Sequence, residues 1–174
     1  DEKIAGALWI GGPGSVGFNA VGEILAGEVN PSGRLVDTYA YDETSAPSFN
    51  NIGEFPYSNS EFDYEKDTWH YKYVNYAESI YVGYRYYDTK KMEVRFPFGF
   101  GLSYTSYEYS NLKVSADHIK DTDVLEVSVD VTNTGGMAGK EVVQLYVSDV
   151  ESTVIRPVKE LKGFEKVELA PGET

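Results

Sequence analysis

The spacing of apolar and polar residues changes character twice along this chain. Near the start, Ile4–Ile10 (IAGALWI) is a short apolar run, the pattern of a buried strand. After a Gly-rich turn, residues 18–26 (FNAVGEILA) carry Val21, Ile24 and Leu25 at the spacing of one helix face. Asn30-Pro31-Ser32-Gly33 supplies turn chemistry, and Leu35–Tyr39 (LVDTY) reads as a second strand. Residues 41–75 then show no period at all. From Tyr107 the period is two. Tyr107–Val114 is a predicted strand, and Leu125–Val131 sets Leu125, Val127, Val129 and Val131 inward against polar Glu126, Ser128 and Asp130. Glu141–Val147 and Leu161–Leu169 complete the series, with the turn Asn133-Thr134-Gly135-Gly136 between strands. The expected fold is an α/β segment followed by an all-β sandwich. Such a sandwich uses about seven strands, and about four are legible, so both parts are expected to be incomplete and the chain a fragment of a longer protein.

Composition changes this picture most in the aperiodic stretch. Long irregular segments are uncommon inside compact domains, and disordered ones are poor in aromatics. Residues 41–75 instead hold Phe49, Phe55, Tyr57, Phe62, Tyr64, Trp69, Tyr71 and Tyr73. An ordered surface loop is the expectation. The rings continue through Tyr76, Tyr81, Tyr84, Tyr86, Tyr87 and Tyr104, a density suited to a seam between domains or to a groove for a flat ligand, since each buried ring needs a partner for its hydroxyl.

Charge narrows the partners. The net charge of −13 repels phosphate backbones and anionic membranes, so neither nucleic acid nor membrane is an expected partner; a neutral sugar is compatible with it. No apolar run reaches the roughly 18 residues of a membrane span. The chain has no Cys, which leaves cytoplasm and export both open.

Several motifs invite chemistry. Gly12-Pro13-Gly14-Ser15-Val16-Gly17 fits G-x-G-x-x-G between a predicted strand and helix, with Asp37 20 residues beyond Gly17, as in dinucleotide sites. Pro13 removes one backbone donor from that loop, and no second βαβ unit follows, so a plain strand–helix turn is the better reading and no cofactor is expected. Glu61, Asp63, Glu65 and Asp67 alternate as calcium ligands do, but the glycine and terminal Glu of an EF-hand loop are missing. His70 and His118 lie far apart in sequence and build no zinc site. Retaining glycosidases pair two carboxylates about 5–5.5 Å apart. Glu78 and Asp88 flank the Tyr-rich segment, yet a structural role, bonded to Tyr hydroxyls or paired with Arg85, is the expectation for both.

Five blocks, in order, resemble glycoside hydrolase family 3, the β-glucosidases and their relatives. They are GEVNPSGRL at 27–35, YVGYRYYD at 81–88, FPFGFGLSYT at 96–105, VTNTGGMAGKEVVQLYV at 131–147 and KELKGFEKVELAPGET at 159–174. One departure is Glu78-Ser79, where the family often has Glu-Gly. The resemblance implies the end of an α/β sandwich domain at 1–40, an aromatic loop and interdomain linker strand at 41–106, and a truncated fibronectin type III-like domain at 107–174. It implies a retaining, exo-acting parent that acts on small β-linked glucosides or oligosaccharides, with a TIM-like barrel elsewhere in the same protein. Neither the barrel's nucleophilic Asp nor the acid/base Glu maps onto this chain, which alone is expected to be inactive. Trp69 and Tyr71 are the candidate substrate-stacking residues on the aglycone side. A non-catalytic carbohydrate-binding β-sandwich module is the alternative, and an Ig-like spacer leaves the α/β segment unexplained.

Overall fold

A computed structural model of the chain describes residues 3–51, 53 and 55–174. Among the described residues the helices are α1 (Gly17–Ala26) and α2 (Tyr84–Lys90). The strands are β1 (Tyr39–Ala40), β2 (Phe55–Pro56), β3 (Phe62–Asp63), β4 (Thr68–Trp69), β5 (Lys72–Tyr73), β6 (Val94–Phe96), β7 (Tyr107–Val114), β8 (Val127–Asn133), β9 (Gly139–Val147) and β10 (Glu160–Leu169). They pair as two-stranded ribbons: β1 with β6, β2 with β5, β3 with β4, β7 with β8 and β9 with β10. An α/β segment followed by an all-β segment is the architecture. None of the described helices is long and apolar enough to cross a membrane.

Two compact units share the chain. One comprises Asp1–Gly33, Leu102–Val143 and Lys166–Thr174; the other comprises Arg34–Gly101 and Gln144–Glu165.

In the first unit, β7 and β8 run antiparallel with Tyr107 opposite Asn133 and Val114 opposite Val127, interrupted by an irregularity between Ser110 and Lys113. The expected alternation holds along β8 but deepens toward its end. Val129 is half-buried, Val131 is buried and Asn133 has no exposed surface, whereas Leu125 and Val127 remain exposed. The helix expected at 18–26 is α1, closed by Gly27 in the left-handed region. Gly17, at its start, is fixed by crowding: a Cβ there would lie 2.7 Å from Pro13 Cβ. That contact gives the Gly-Pro loop a packing reason independent of any anion.

Two expected strands are corrected. Ile4–Ile10 forms no strand, and its side chains are exposed, Trp9 by 77%. A buried strand needs a ladder partner, and among the described residues nothing pairs with this run. The segment expected as a linker strand at 81–88 is largely helix: α2 occupies Tyr84–Lys90. Tyr favours strands only through its fit to a pleated, half-buried surface. Here Gly83 takes φ +52, which breaks an extended run, and the helix that follows buries Tyr87. Smaller differences also occur. The strand expected at 35–39 narrows to β1, though Leu35 exchanges backbone bonds with Gly99 and Phe100, each 2.8 Å. The aperiodic stretch is ordered into short 3₁₀ turns at Glu43–Ser45 and Phe49–Asn51, followed by β2–β5.

Candidate functional site

Residues 55–73 fold back as a two-tier hairpin. At its base Phe55 stands opposite Tyr73 and Pro56 opposite Lys72; nearer the tip Phe62 stands opposite Trp69 and Asp63 opposite Thr68. Backbone bonds Tyr57 N to Tyr71 O (3.2 Å) and His70 N to Glu61 O (3.0 Å) span the gap between tiers. The pairing explains why so polar a loop is rich in rings, because cross-strand aromatic pairs are a main source of hairpin stability. Tyr73 packs on Phe55 (5.6 Å between centroids) and Tyr57 (5.1 Å), and Phe62 packs on Trp69 (5.2 Å) and Tyr64 (4.9 Å).

The two predicted stacking residues differ in exposure. Trp69 is half-buried with its ring edge-to-face on Phe62, whereas Tyr71 is 65% exposed and meets the His70 ring at 6.5 Å. No ring contact among the described residues joins Trp69 to Tyr71. The alternating acids at the tip build a turn. Asp63 Oδ1 accepts from the Glu65 and Lys66 amides (3.0 and 3.2 Å), and Asp63 Oδ2 pairs with Lys66 Nζ (3.2 Å) and faces His70 Nε2 at 3.7 Å. The bond from Lys66, seconded by those amides and by His70, holds the Asp63 carboxyl below its ordinary range. No group of three His, Cys, Asp or Glu among the described residues is placed to hold a metal ion.

Elsewhere in the same unit, α2 forms the centre of an aromatic cluster. Tyr84 stacks on Phe98 (4.9 Å) and meets Tyr146 edge-on (5.7 Å), and its hydroxyl accepts from the Leu161 amide at 2.8 Å. Thr89 Oγ1 accepts from the Val158 amide (3.0 Å). The carboxylates that invited a catalytic reading are both engaged. Asp88 pairs with Lys159 at 3.0 Å, and Glu78 Oε2 accepts from Asn51 Nδ2 at 2.8 Å. Both have partners, as a structural role requires, but these are Lys159 and Asn51 rather than Tyr hydroxyls or Arg85. Lys159 also lies 5.1 Å over the Tyr146 ring. Burial, then Tyr84 and Asp88, push the Tyr146 phenol above its usual pKa.

Within the first unit, two asparagines tie sequence-distant blocks together. Asn30 Oδ1 accepts from Ser103 Oγ (2.9 Å) and the Tyr104 amide (2.8 Å), while its Nδ2 donates to Ala138 O (3.1 Å). Tyr104 Oη donates to Ile24 O at 2.8 Å. Asn133 Nδ2 donates to Met137 O (2.9 Å) and Leu169 O (3.0 Å), and its Oδ1 accepts from Thr105 Oγ1 (2.6 Å) and the Gly135 amide (3.1 Å). Sequence reasoning passed over both residues as turn formers. The available signal was that each sits inside a motif block, and that Asn133 falls in phase with the inward Val129 and Val131 of β8.

Comparisons with known proteins identify the family. Residues 1–104 match the glycosyl hydrolase family 3 C-terminal domain, and residues 141–174 match the fibronectin type III-like domain. The chain is 50% identical over 174 residues to the thermostable beta-glucosidase B of Acetivibrio thermocellus, covering 99% of this chain and 21% of that protein. Among solved structures, it resembles a GH3 beta-glucosidase of Bifidobacterium adolescentis (TM-score 0.74, 36% identity, 90% of this chain and 21% of that one). It also resembles beta-glucosidase 3B of Thermotoga neapolitana in complex with glucose (TM-score 0.71, 42% identity, 88% and 19%). The chain thus spans about a fifth of the length of the relatives it matches. Together with the five motif blocks and the bonds that join them, these matches establish that the chain belongs to glycosyl hydrolase family 3, as part of its C-terminal region.

Proposed function

We propose that this chain supplies scaffold and an aglycone-side pocket wall to a retaining, exo-acting β-glucosidase-like hydrolase. Its nucleophile and acid/base lie outside these 174 residues. The observation that carries this reading is the 50% identity held across 99% of the chain to a protein named as a β-glucosidase. The engagement of Glu78 by Asn51 and of Asp88 by Lys159 supports it, since a retaining pair has to flank a glycosidic bond. Exposed apolar side chains on α1 and the run before it, such as Phe18 (61%) and Trp9 (77%), support further protein packing there. On this reading residues 1–40 end an α/β sandwich domain, 41–106 are loop and linker, and 107–174 begin a fibronectin III-like domain. A TIM-like barrel of the same protein holds a β-linked glucoside or oligosaccharide, and Trp69 and Tyr71 offer rings to its aglycone.

The test is hydrolysis of an aryl β-glucoside. The 174-residue chain gives no turnover, whereas a polypeptide carrying it within a full-length family 3 protein does. In the latter, Trp69→Ala raises KM for glucosides with a flat aglycone by up to about tenfold, the equivalent of one aromatic contact. Turnover by the short chain alone would overturn the placement of the catalytic pair. An unchanged KM would remove Trp69 from the wall.

A further inference from the structure

Every side chain from Ser148 to Arg156 is exposed, and Pro157, which follows, is buried. The stretch that begins there is gripped by α2 and by Tyr81 just before it. Tyr81 Oη donates to Arg156 O (3.2 Å), Thr89 Oγ1 accepts from the Val158 amide (3.0 Å) and Tyr84 Oη from the Leu161 amide (2.8 Å), while Asp88 pairs with Lys159 (3.0 Å). Three of these four contacts engage backbone groups, so they fix the path of 156–161 rather than one side chain of it. The neck of the loop is closed too. Ser148 Oγ donates to Val158 O (2.5 Å), and the Arg156 guanidinium spans Asp149 (3.3 Å) and Glu160 (3.6 Å).

Above the neck the anchoring stops. Among the described residues, the side-chain hydrogen bonds of 150–155 stay within the loop, where Ser152 Oγ donates to Val154 O (2.7 Å). A closed neck under a self-contained tip is the layout of an Ω-loop. This tip is apolar: Val150, Val154 and Ile155 are 90%, 60% and 79% exposed. Ile155 stands at the edge of an open cleft of about 520 Å³ beside Glu78, with Ala77, Tyr81, Tyr86 and Lys90 on its walls. We propose that residues 149–155 are a lid, which turns on its neck and lays Val154 and Ile155 against Tyr81 and Tyr86 to cover that cleft.

The contacts give the closure its direction. Tyr81 belongs to both the neck and the cleft wall, so the limb that carries Ile155 is held beside the cleft. Tyr86 stands edge-on to the buried Tyr87 ring at 5.6 Å and offers a fixed surface to the arriving methyls. Turning inward removes the apolar tip from water, which is the driving force. Glu151 on the tip and Lys90 on the wall carry opposite charges, and neither has an ion-pair partner among the described residues. Both are exposed, so salt weakens their attraction.

The experiment is NMR on the isotope-labelled 174-residue chain. Nuclear Overhauser contacts from the Val154 methyls to the Tyr86 ring are expected, with exchange broadening at 149–155 on the μs–ms scale of lid motions. Val154→Ser combined with Ile155→Ser removes the apolar drive and lowers the closed population about tenfold, and the remaining contact to Tyr86 weakens with it. The Leu161 amide, bonded to Tyr84, stays protected in that variant and reports that the neck survives. Lys90→Gln keeps the contact and removes its salt dependence. Absence of the Val154–Tyr86 contact, broadening that persists at full strength in the double serine variant, or opening of the tip only together with the Leu161 amide would each overturn the lid.

Discussion

Replacing Asn133 by Ala should destabilise the first unit by about 3–5 kcal/mol, placing it in the severe tail of single substitutions. The magnitude comes from four side-chain bonds around a group with no exposed surface. Leu169 is 7% exposed, so its carbonyl loses a buried donor and bears the full desolvation penalty, about 1–3 kcal/mol. The Thr105 hydroxyl, the Gly135 amide and the Met137 carbonyl are only part-buried and can turn to water, losing about 0.5–1.5 kcal/mol each. Water entering the vacated space offsets some of this. The chain has two units, so a single global transition is not assumed, and the assay is native-state hydrogen exchange. The Gly172 amide, bonded to Asn133 O at 2.8 Å, and the Thr134 amide, bonded to Ser106 O at 2.8 Å, report the opening of this region. Asn133→Asp adds a second check. Its Oδ1 keeps both donors, but the second oxygen faces the Met137 and Leu169 carbonyls, which favours the protonated acid. A carboxyl pKa raised by folding gives stability that is present below the unfolded value of about 4 and lost as pH rises through the folded value. The Asp variant should therefore approach the unsubstituted chain only in acid. Exchange free energies within about 0.5 kcal/mol of the unsubstituted chain for Asn133→Ala would refute the account.

Other expectations follow from single contacts. Ser79 sits at φ +52, a conformation that costs a residue with Cβ about 1–2 kcal/mol. Ser79→Gly should stabilise the second unit by about 0.5–1 kcal/mol after the added freedom of the unfolded chain is counted, and thermal unfolding checks it. Tyr84→Phe retains the ring contacts and loses the Leu161 bond, for about 0.5–1.5 kcal/mol in the exchange of that amide. The Asp63 carboxyl is held below its ordinary range, so its contribution is present above the ordinary value of 3.8 and lost as pH falls through the depressed one; carboxyl NMR reads the midpoint, and Asp63→Asn removes this acid limb. Tyr146 runs the other way. Its raised phenol pKa gives a contribution present below the ordinary 10.0 and lost as pH climbs through the raised value, so its ring signal should titrate above the ordinary value.

The all-β half was the more legible part. A period of two over 125–131 foretold β8 because one face of it is covered, and Val131 and Asn133 show where. Ile4–Ile10 misled for the complementary reason. Apolar content signals a strand only when a ladder partner exists, and local composition carries no information about that partner. The Tyr-rich run misled through propensity: one glycine at positive φ outweighed the β preference of its neighbours. The hairpin at 55–73 was invisible to periodicity because each strand is two residues long, too short to alternate, although its paired rings were evident as composition. The open cleft beside Glu78 is lined by residues from 47 to 155, a separation no local pattern records.

The motif blocks that Asn30 and Asn133 join and the tip of the 55–73 hairpin occupy different residues, and physics gives a reason. Few of the described residues are buried, with Tyr87, Val131 and Leu169 the large apolar ones among them. With so little area removed from water, register cannot come from packing alone and has to come from directional bonds. Asn30 and Asn133 provide them: Ser103, Tyr104 and Ala138 lie outside the block of Asn30, and Thr105 and Leu169 outside that of Asn133, while Gly135 and Met137 lie in Asn133's own. Every one of those partners is a backbone group or a hydroxyl that only the folded chain presents at the right distance. These blocks therefore encode mutual positioning, which gives a reason for their specificity. The hairpin tip is different. Tyr64 and Tyr71 are 88% and 65% exposed, each with one ring contact among the described residues, to Phe62 and to His70. Substitution in the blocks should alter exchange protection before it alters ligand binding. Substitution at the tip should do the reverse, and a Tyr71→Ala chain with lost protection at the Phe55–Tyr73 base would break that division.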